Sequence, residues 1–176
     1  MASQDWATFV EFVVARSTAL QRAAYLMVGD VGLAQDLVQE ALVKTCAVWP
    51  RLRERGAAEA YTRKVITTKA MAWFRRRAWS AELTSGHPPD TPAPGHADGV
   101  TERAWLWQCL LQLPPRQRVA IVLRYYEDLS EAQTAEAMNC AVGTVKSQVS
   151  AGLAKLRALV GDELLLPPES QEVVTS

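Results

Sequence analysis

The 176-residue chain lacks the features that place a protein in or across a membrane. No stretch approaches the ~20 consecutive apolar residues that a membrane-spanning helix needs. The first residues, MASQDWATF, have no basic start followed by an apolar run and therefore do not resemble a secretory signal peptide. We expect a cytoplasmic protein without membrane insertion.

Cysteine and histidine are scarce. The three cysteines, Cys46, Cys109 and Cys140, are far apart, and both histidines, His87 and His96, lie in one Pro-rich stretch. This pattern argues against a disulfide framework or a metal site and favours free thiols in a reducing compartment. A Gly-rich phosphate loop and a Ser–His or Cys–His arrangement are also missing. We expect no enzymatic activity, no metal and no cofactor.

Net charge is absent as well, because 19 Lys and Arg residues balance 19 Asp and Glu residues. The distribution is uneven: residues 1–82 carry twelve bases against eight acids, and residues 99–161 carry seven against five. Residues 83–98 contain two acids and no base, and residues 162–176 contain four acids and no base. Two mildly basic bodies are thus separated by an acidic linker and followed by an acidic tail.

The linker, LTSGHPPDTPAPGHADG at residues 83–99, has four prolines, three glycines and no apolar periodicity. This composition predicts a flexible segment. Because the flanking sequence has helical periodicity and almost no strand signal, it predicts an all-α protein of two small helical domains. The predicted bounds are 1–82 and 100–161 for the domains, with 162–176 as a disordered tail.

Four helices are predicted before the linker. The first covers about residues 6–28, and the second covers residues 31–49 after Asp30, a good N-cap. The third and fourth share residues 57–82. Their junction, residues 67–69, is rich in β-branched polar residues and is a candidate loop.

Four more helices are predicted after the linker, over about residues 100–112, 115–127, 130–138 and 142–161. Ser130 and Gln133 match a capping box at the start of the third of these. The last two are joined by a short turn at residues 139–141, an arrangement that fits a helix-turn-helix. Five apolar residues at helical spacing are expected to face the core from the last helix: Val145, Val149, Leu153, Leu156 and Val160.

The opposite face of the last helix carries side chains that suit a DNA major groove. Gln pairs with adenine, and Thr or Ala contacts the thymine methyl group. The candidate contacts are Thr144, Lys146, Ser147, Gln148, Ala151 and Lys155, with Arg116, Arg118 and Arg124 of the preceding helix as further cations. An ordinary helical hairpin is the alternative. Because few cations are present, this module alone is expected to bind DNA weakly and to need a second DNA contact or a carrier protein.

Two further motifs lie in the first domain. In GDVGLAQDLVQEALVKTCAVW, residues 29–49, the side opposite the leucine stripe carries Asp36, Gln39, Glu40 and Lys44. It is either a solvated face or a docking surface for a basic partner helix. In YTRKVITTKAMAWFRRRAWSAE, residues 61–82, cations alternate with aromatic residues, as in proteins that bind single-stranded nucleic acid. The alternative places Trp73 and Phe74 in a small core.

Together the three motifs resemble the small alternative sigma factors of bacterial RNA polymerase, the extracytoplasmic-function (ECF) group of the sigma-70 class. The residues of these motifs are most similar to those of the actinobacterial SigE-like subfamily. The resemblance covers about residues 5–160 and rests on the order and spacing of GDVGLAQDLVQEAL (29–42), AYTRKVITTKAMAWFRRR (60–77), LPPRQRVAIVLRYYEDLSEAQTAEAM (113–138) and VGTVKSQVSAGLAKLR (142–157).

The resemblance implies that the first domain acts as sigma domain 2. Its second helix would dock on the clamp helices of the polymerase β′ subunit through Leu33, Asp36, Leu37, Gln39 and Glu40. The promoter −10 element would be recognised and melted by Arg63, Thr67, Thr68, Lys69, Trp73, Arg75, Arg76 and Arg77, with an unstacked base held near positions 67 and 68.

The second domain would act as sigma domain 4 beside the β flap of polymerase. It would read the −35 element through Arg116, Arg124, Thr144, Lys146, Ser147, Gln148, Ala151 and Lys155. Polymerase would then supply most of the DNA affinity, because two weak modules on one enzyme gain from effective concentration. The linker would pass through the RNA exit region, and its flexibility would allow an anti-sigma factor to wedge between the domains.

Three positions depart from the family. Thr68 stands where relatives often have Asn, and Gln148 and Ala151 stand where they often have Arg, which affects the flipped base and the phosphate contacts. Two rival functions stay open. One is a helix-turn-helix regulator that acts without joining polymerase, and the other is a sigma-like decoy that no longer starts transcription.

Overall fold

Seven α-helices form the part of the protein that the structure describes. The structure is a computed structural model, and it describes residues 3–52, 55–83 and 102–160. In chain order the helices are α1 (Ser3–Val28), α2 (Val31–Val48), α3 (Arg55–Leu83), α4 (Glu102–Leu111), α5 (Pro115–Ile121), α6 (Glu131–Met138) and α7 (Val142–Val160). A 3₁₀ turn (Trp49–Arg51) follows α2, and a π-helical turn (Val122–Tyr126) follows α5. These ranges contain no strand, which confirms the predicted all-α class.

Two predicted helix starts are confirmed by their caps. The Asp30 side chain accepts a hydrogen bond from the Leu33 N–H at 2.7 Å and so satisfies a free donor at the start of α2. At α6, the Ser130 hydroxyl accepts from the Gln133 N–H, and the Gln133 side chain accepts from the Ser130 N–H. This is the capping box that the sequence predicts.

The loop expected at residues 67–69 does not exist, because α3 runs without a break from Arg55 to Leu83. Ile66, Thr67 and Ala70 are all buried on this helix. β-Branched residues reduce helix propensity by only a few tenths of a kcal/mol each. The burial of these side chains outweighs that local preference, so three helices precede the linker instead of four.

The first module, α1 to α3, is held together by an aromatic cluster and a buried polar contact. Phe9 and Phe12 of α1 pack against Trp49, and their ring centroids lie 5.2 and 5.3 Å, respectively, from that of Trp49. The hydroxyl groups of Thr45 on α2 and Thr62 on α3 lie 2.8 Å apart, and both residues are fully buried. These contacts fix α2 against α3 and thereby place the two candidate surfaces of this module side by side.

The second module, α4 to α7, depends on a close helix crossing. At Gly152 of α7, an added Cβ atom would lie 2.6 Å from Cδ1 of Ile121 and 3.2 Å from Cβ of Gln117. Glycine therefore allows α5 and α7 to approach, while Val145 and Leu156 are buried on the same helix. The predicted core face of α7 is confirmed, with Val149, Leu153 and Val160 partly buried.

The two modules pack on each other and share one hydrophobic core. This core includes Met27 and Val38 of the first module together with Val119, Leu123 and Ala137 of the second. The predicted linker, apart from Leu83, and the predicted tail lie outside the described residues, so the domain bounds remain a prediction. None of the described helices is both long and apolar enough to cross a membrane.

Candidate nucleic-acid interface

The outer side of α7 presents most of the predicted −35 residues to solvent. Lys146, Ser147, Ala151 and Lys155 are exposed, and Thr144 and Gln148 are partly buried. The Ser147 hydroxyl donates to the Thr144 carbonyl at 2.9 Å, which orients it along the helix. These side chains form one polar surface on a helix that is anchored by buried valine and leucine on its other side.

A cavity of about 270 Å³ lies beside this surface, between α7 and the π-helical turn. Three cations, one carboxylate and five uncharged side chains line it, namely Arg124, Lys146, Arg157, Glu131, Tyr125, Val145, Val149, Ser150 and Leu153. Lys146 pairs with Glu131 of α6 at 3.4 Å on the exposed rim. The positive charge on this rim suits the anionic backbone of a nucleic acid. Arg157 belongs to the rim, although the sequence pattern does not indicate it.

The arginines of α5 and of the π-helical turn, Arg116, Arg118 and Arg124, have different environments. Arg116 is exposed, and Arg124 is partly buried and donates to the Leu129 carbonyl. Arg118 is only 6% exposed, so its prediction as a surface cation for DNA is wrong. The sequence pattern could not reveal this, because one of its main-chain acceptors, the Met27 carbonyl, lies 91 residues away along the chain.

Arg118 instead joins four helices from the two modules. Its Nε donates to the Met27 carbonyl of α1 and its Nη1 to the Leu111 carbonyl of α4, both at 2.8 Å. Its guanidinium carbon lies 5.4 Å from the ring centre of Phe74 on α3. Burial lowers the pKa of Arg118 to about 10, so the side chain is still a cation at neutral pH.

The predicted −10 residues of α3 lie on two different faces. Thr68, Arg75, Arg76 and Arg77 are exposed. Arg77 stacks over Trp73, with 5.1 Å between its guanidinium carbon and the ring centre, and Trp73 packs edge-on against Phe74. Phe74 contacts the shared core, as the core interpretation predicts, and Trp73 is partly buried. A stacking role for Trp73 stays a prediction.

The other face of α3 is covered by the second module. Thr67 is fully buried, and its hydroxyl has no hydrogen-bond partner within the described protein. Arg63 Nε donates to Glu127 Oε2 of the second module at 2.6 Å and is 12% exposed. The structure therefore does not bring Arg63 and Thr67 to the same open surface as Arg75, Arg76 and Arg77.

The predicted docking helix α2 has an open acidic side. Asp36, Gln39 and Glu40 are exposed and Leu33 is partly buried, whereas Leu37 is 5% exposed and belongs to the core. Leu37 is therefore not available for contact with a partner, and its assignment as a docking residue is corrected to a supporting role. Glu40 accepts a hydrogen bond from Lys69 of α3 at 2.6 Å, and this bond lowers the pKa of the Glu40 carboxyl.

Candidate sites for small ligands are few. Across residues 3–52, 55–83 and 102–160, no group of three or more His, Cys, Asp or Glu side chains is close enough to hold a metal ion. The three cysteines are free thiols, and burial raises the pKa of Cys109.

Two family models match the chain over most of its length. Sigma-70 region 2 matches residues 12–80, which comprise most of the first module. Sigma-70 region 4 matches residues 103–156, which comprise most of the second module. Region 2 thus precedes region 4 along the chain, which is the domain order that the three sequence motifs indicate.

Individual relatives agree with these models. The chain is 37% identical over 157 residues to an RNA polymerase sigma-E factor of Streptomyces avermitilis, covering 89% of this chain and 87% of the relative. It is 30% identical to the ECF RNA polymerase sigma factor SigC of Mycobacterium tuberculosis, covering 72% of this chain and 69% of the relative.

A solved structure supports the same architecture. It is the sigma factor RpoE in complex with the anti-sigma factor NepR from Bartonella quintana. It superposes with a TM-score of 0.68 at 25% identity and covers 86% of this chain and 96% of the solved chain. Similarity in sequence and in fold thus points to one family.

Proposed function

The chain belongs to the ECF group of the sigma-70 family, and from that premise we propose that it is a promoter-specificity subunit. It binds core RNA polymerase and directs transcription initiation at promoters with −35 and −10 elements. The observation that carries this proposal is the presence in one chain of an open acidic side on α2 and an open polar side on α7. A regulator that acts without polymerase has no use for the first of these surfaces.

Polymerase docking is assigned to α2. Asp36, Gln39 and Glu40 are exposed on one side, and the buried Leu37 and the Thr45–Thr62 contact hold the helix in place. An acidic surface fits a basic partner helix, and such charge complementarity steers association. The partner here is the clamp-helix region of the β′ subunit.

Promoter contacts are assigned to α3 and α7. On α3, the exposed cations Arg75 to Arg77 follow the backbone of the melted −10 strand while Trp73 offers a stacking surface. On α7, Gln148 and its neighbours enter the major groove of the −35 element beside the β flap. The cations around the 270 Å³ cavity contact backbone phosphate.

The proposal also covers catalysis, location and control. The protein has no catalytic role, since RNA synthesis belongs to polymerase, and it acts in the cytoplasm where that enzyme works. The solved RpoE of Bartonella quintana is in complex with an anti-sigma factor, NepR. An anti-sigma factor that binds both modules is therefore part of the proposal.

Run-off transcription tests this function. The purified chain is mixed with sigma-free core polymerase from a streptomycete and fragmented genomic DNA, and transcript starts are mapped. Discrete starts that share two upstream elements are expected. A stable complex without starts would indicate a decoy, and DNA binding without any complex would indicate an independent regulator.

A pair of charge reversals makes the test specific to α2. Asp36→Arg should abolish the complex with core polymerase, because it places a cation opposite a basic surface. Glu11→Arg, the same kind of change on an exposed position of α1, should leave the complex intact. Equal binding by both variants would show that α2 is not the docking helix.

A further inference from the structure

We propose that residues 162–166 of the acidic tail, with the sequence DELLL, bind in the cavity between α7 and the π-helical turn and compete there with DNA phosphate. The cavity is then a binding site for a segment of the same chain. The docking itself does not depend on the proposed function. The competition with DNA rests on it, because it needs the cations of the cavity to contact promoter phosphate.

The cavity has an excess of positive charge. Arg124, Lys146 and Arg157 line it together with one acid, Glu131. Glu131 pairs with Lys146 at 3.4 Å, whereas neither arginine is paired with a carboxylate anywhere in residues 3–52, 55–83 and 102–160. The charges of two arginines therefore remain for an anionic ligand.

The uncharged part of the lining is mostly apolar, which a phosphate group alone would not use. Val145 is buried, Val149 and Leu153 are partly buried, and Tyr125 is 61% exposed. An apolar cavity of about 150 Å³ holds a benzene molecule, so the 270 Å³ here has room for more than one leucine side chain. The cavity thus fits a ligand that carries carboxylates and aliphatic groups side by side.

The tail, which lies outside the described residues, has this composition. Asp162 and Glu163 are followed at once by three leucines, and residues 162–176 contain four acids and no base. Since the tail has no cation of its own, its acids pair elsewhere or stay in water. The opposite charge of the cavity attracts them, and the leucines add apolar contact that water does not offer.

The cavity and the segment also agree in length. The residues of α7 that line the cavity, from Lys146 to Arg157, form a row about 16 Å long at 1.5 Å per residue. Five extended residues span about the same distance. Gly161 directly follows α7, and glycine is the residue that most often lets a chain turn back after a helix. A segment that runs back along α7 places its acids beside Arg157 and its leucines over Leu153 and Val149.

Docking in the cavity leaves the base-reading face of α7 open, because Thr144, Gln148 and Ala151 are not part of the lining. The tail therefore competes only for phosphate contacts, which carry no sequence information. On random DNA the second module binds alone and weakly, so the tail keeps its place. At a promoter, polymerase holds both DNA modules together, and the higher effective concentration displaces the tail. The tail thereby increases selectivity for promoters.

The rate of disulfide formation tests the docking. Ser150→Cys in the cavity and Leu165→Cys in the segment are introduced into the full chain together with Cys46→Ser and Cys140→Ser, and bond formation under mild oxidation is followed by mass spectrometry. The control carries Ala151→Cys in place of Ser150→Cys. It closes a loop of almost the same length from an exposed position that points about 100° away around the helix. The cavity pair should react at least about ten-fold faster than the control pair.

Equal rates for the two pairs would overturn the docking, because a tail that moves freely reaches both positions alike. Salt gives a second check. Raising the salt concentration should slow the cavity pair and leave the control pair unchanged, since salt screens the attraction between the acids and the arginines. A cavity pair whose rate does not respond to salt would contradict the role of Arg124 and Arg157.

DNA binding tests the competition. The double variant Asp162→Asn, Glu163→Gln should bind a fluorescent duplex of random sequence about three-fold tighter than the native chain, because the cavity is then free for more of the time. The control Glu169→Gln, Glu172→Gln removes the same charge from the same tail outside the docking segment and should change the affinity less. Equal affinities of the two variants would overturn the competition.

A third variant separates docking from simple charge repulsion. Leu164→Ser, Leu166→Ser keeps every charge of the tail but removes two groups that fill the cavity, so it should also tighten DNA binding. Native affinity in this variant would overturn the proposal. Failure of the proposed function gives a different result: the chain then starts no transcription with core polymerase, whereas the disulfide rates still report whether the tail docks.

Discussion

The two helices that we propose for DNA recognition differ in how much of their polar surface is free. On α7, Lys146, Ser147 and Ala151 are exposed. On α3, Arg63 is paired with the other module and Thr67 is buried, although the helix has a stronger run of cations. Amphipathicity thus shows which side of a helix is polar but does not show whether a second module covers that side.

The largest effect is expected from Arg118→Ala, which breaks the contact between the modules. The Met27 and Leu111 carbonyls lose their donor, so the free energy of unfolding should fall by about 2–4 kcal/mol. Urea unfolding followed by circular dichroism measures this. Arg118→Met, which keeps the volume without the charge, should lose less. A change below about 0.5 kcal/mol for the alanine variant would contradict the structural role of Arg118.

Thr134→Val should sharpen the difference between the helices by making the packing of α6 more stable. The substitution keeps the shape and removes a buried hydroxyl without a partner, so the free energy of unfolding should rise by about 1 kcal/mol. Urea unfolding followed by circular dichroism measures this increase. Thr45→Val is the matched control and should destabilise the protein, because the Thr45 hydroxyl is bonded to Thr62 and to the Ala41 carbonyl.

Gln148→Arg should strengthen the surface that is already open. An added cation in the proposed −35 contact should raise promoter affinity about three-fold at low salt and steepen the dependence of log K on log salt by about one. Anisotropy titrations of double-stranded promoter DNA at several salt concentrations measure both. Gln21→Arg makes the same change on α1 and should alter neither. An unchanged salt slope in the first variant would argue against this face of α7.

The smallest effect is expected at the Glu40–Lys69 pair. Because its hydrogen bond lowers the pKa of Glu40 below the ordinary value of 4.5, the pair stabilises the folded state above that pH and loses its effect as the pH falls. Both side chains are at least 36% exposed, so Glu40→Gln should cost less than about 1 kcal/mol at pH 7. The difference from the native chain should shrink in acid; a larger difference there would contradict this sign.

Local sequence predicted the helices well because their signals are local. The caps at Asp30 and Ser130 and the apolar period of α7 all lie within a few residues. The loop expected at 67–69 was wrong because burial in the core overrode the low helix propensity of β-branched residues. Arg118 was misplaced because its acceptor at Met27 is 91 residues away, and Arg63 is 64 residues from Glu127. Pairings at such distances depend on how the modules meet, which helical periodicity does not encode.

The pairing of Arg63 with Glu127 also bears on how ions in solution influence this protein. A free arginine that binds DNA lets a condensed counterion leave the phosphate, and that release makes affinity fall as salt rises. An arginine that must first leave a carboxylate returns a bare anion to the solution, which attracts a cation of its own. Recognition through α3 should therefore depend less on ionic strength than its cations suggest, while recognition through Lys155, an exposed cation of α7, keeps the full dependence.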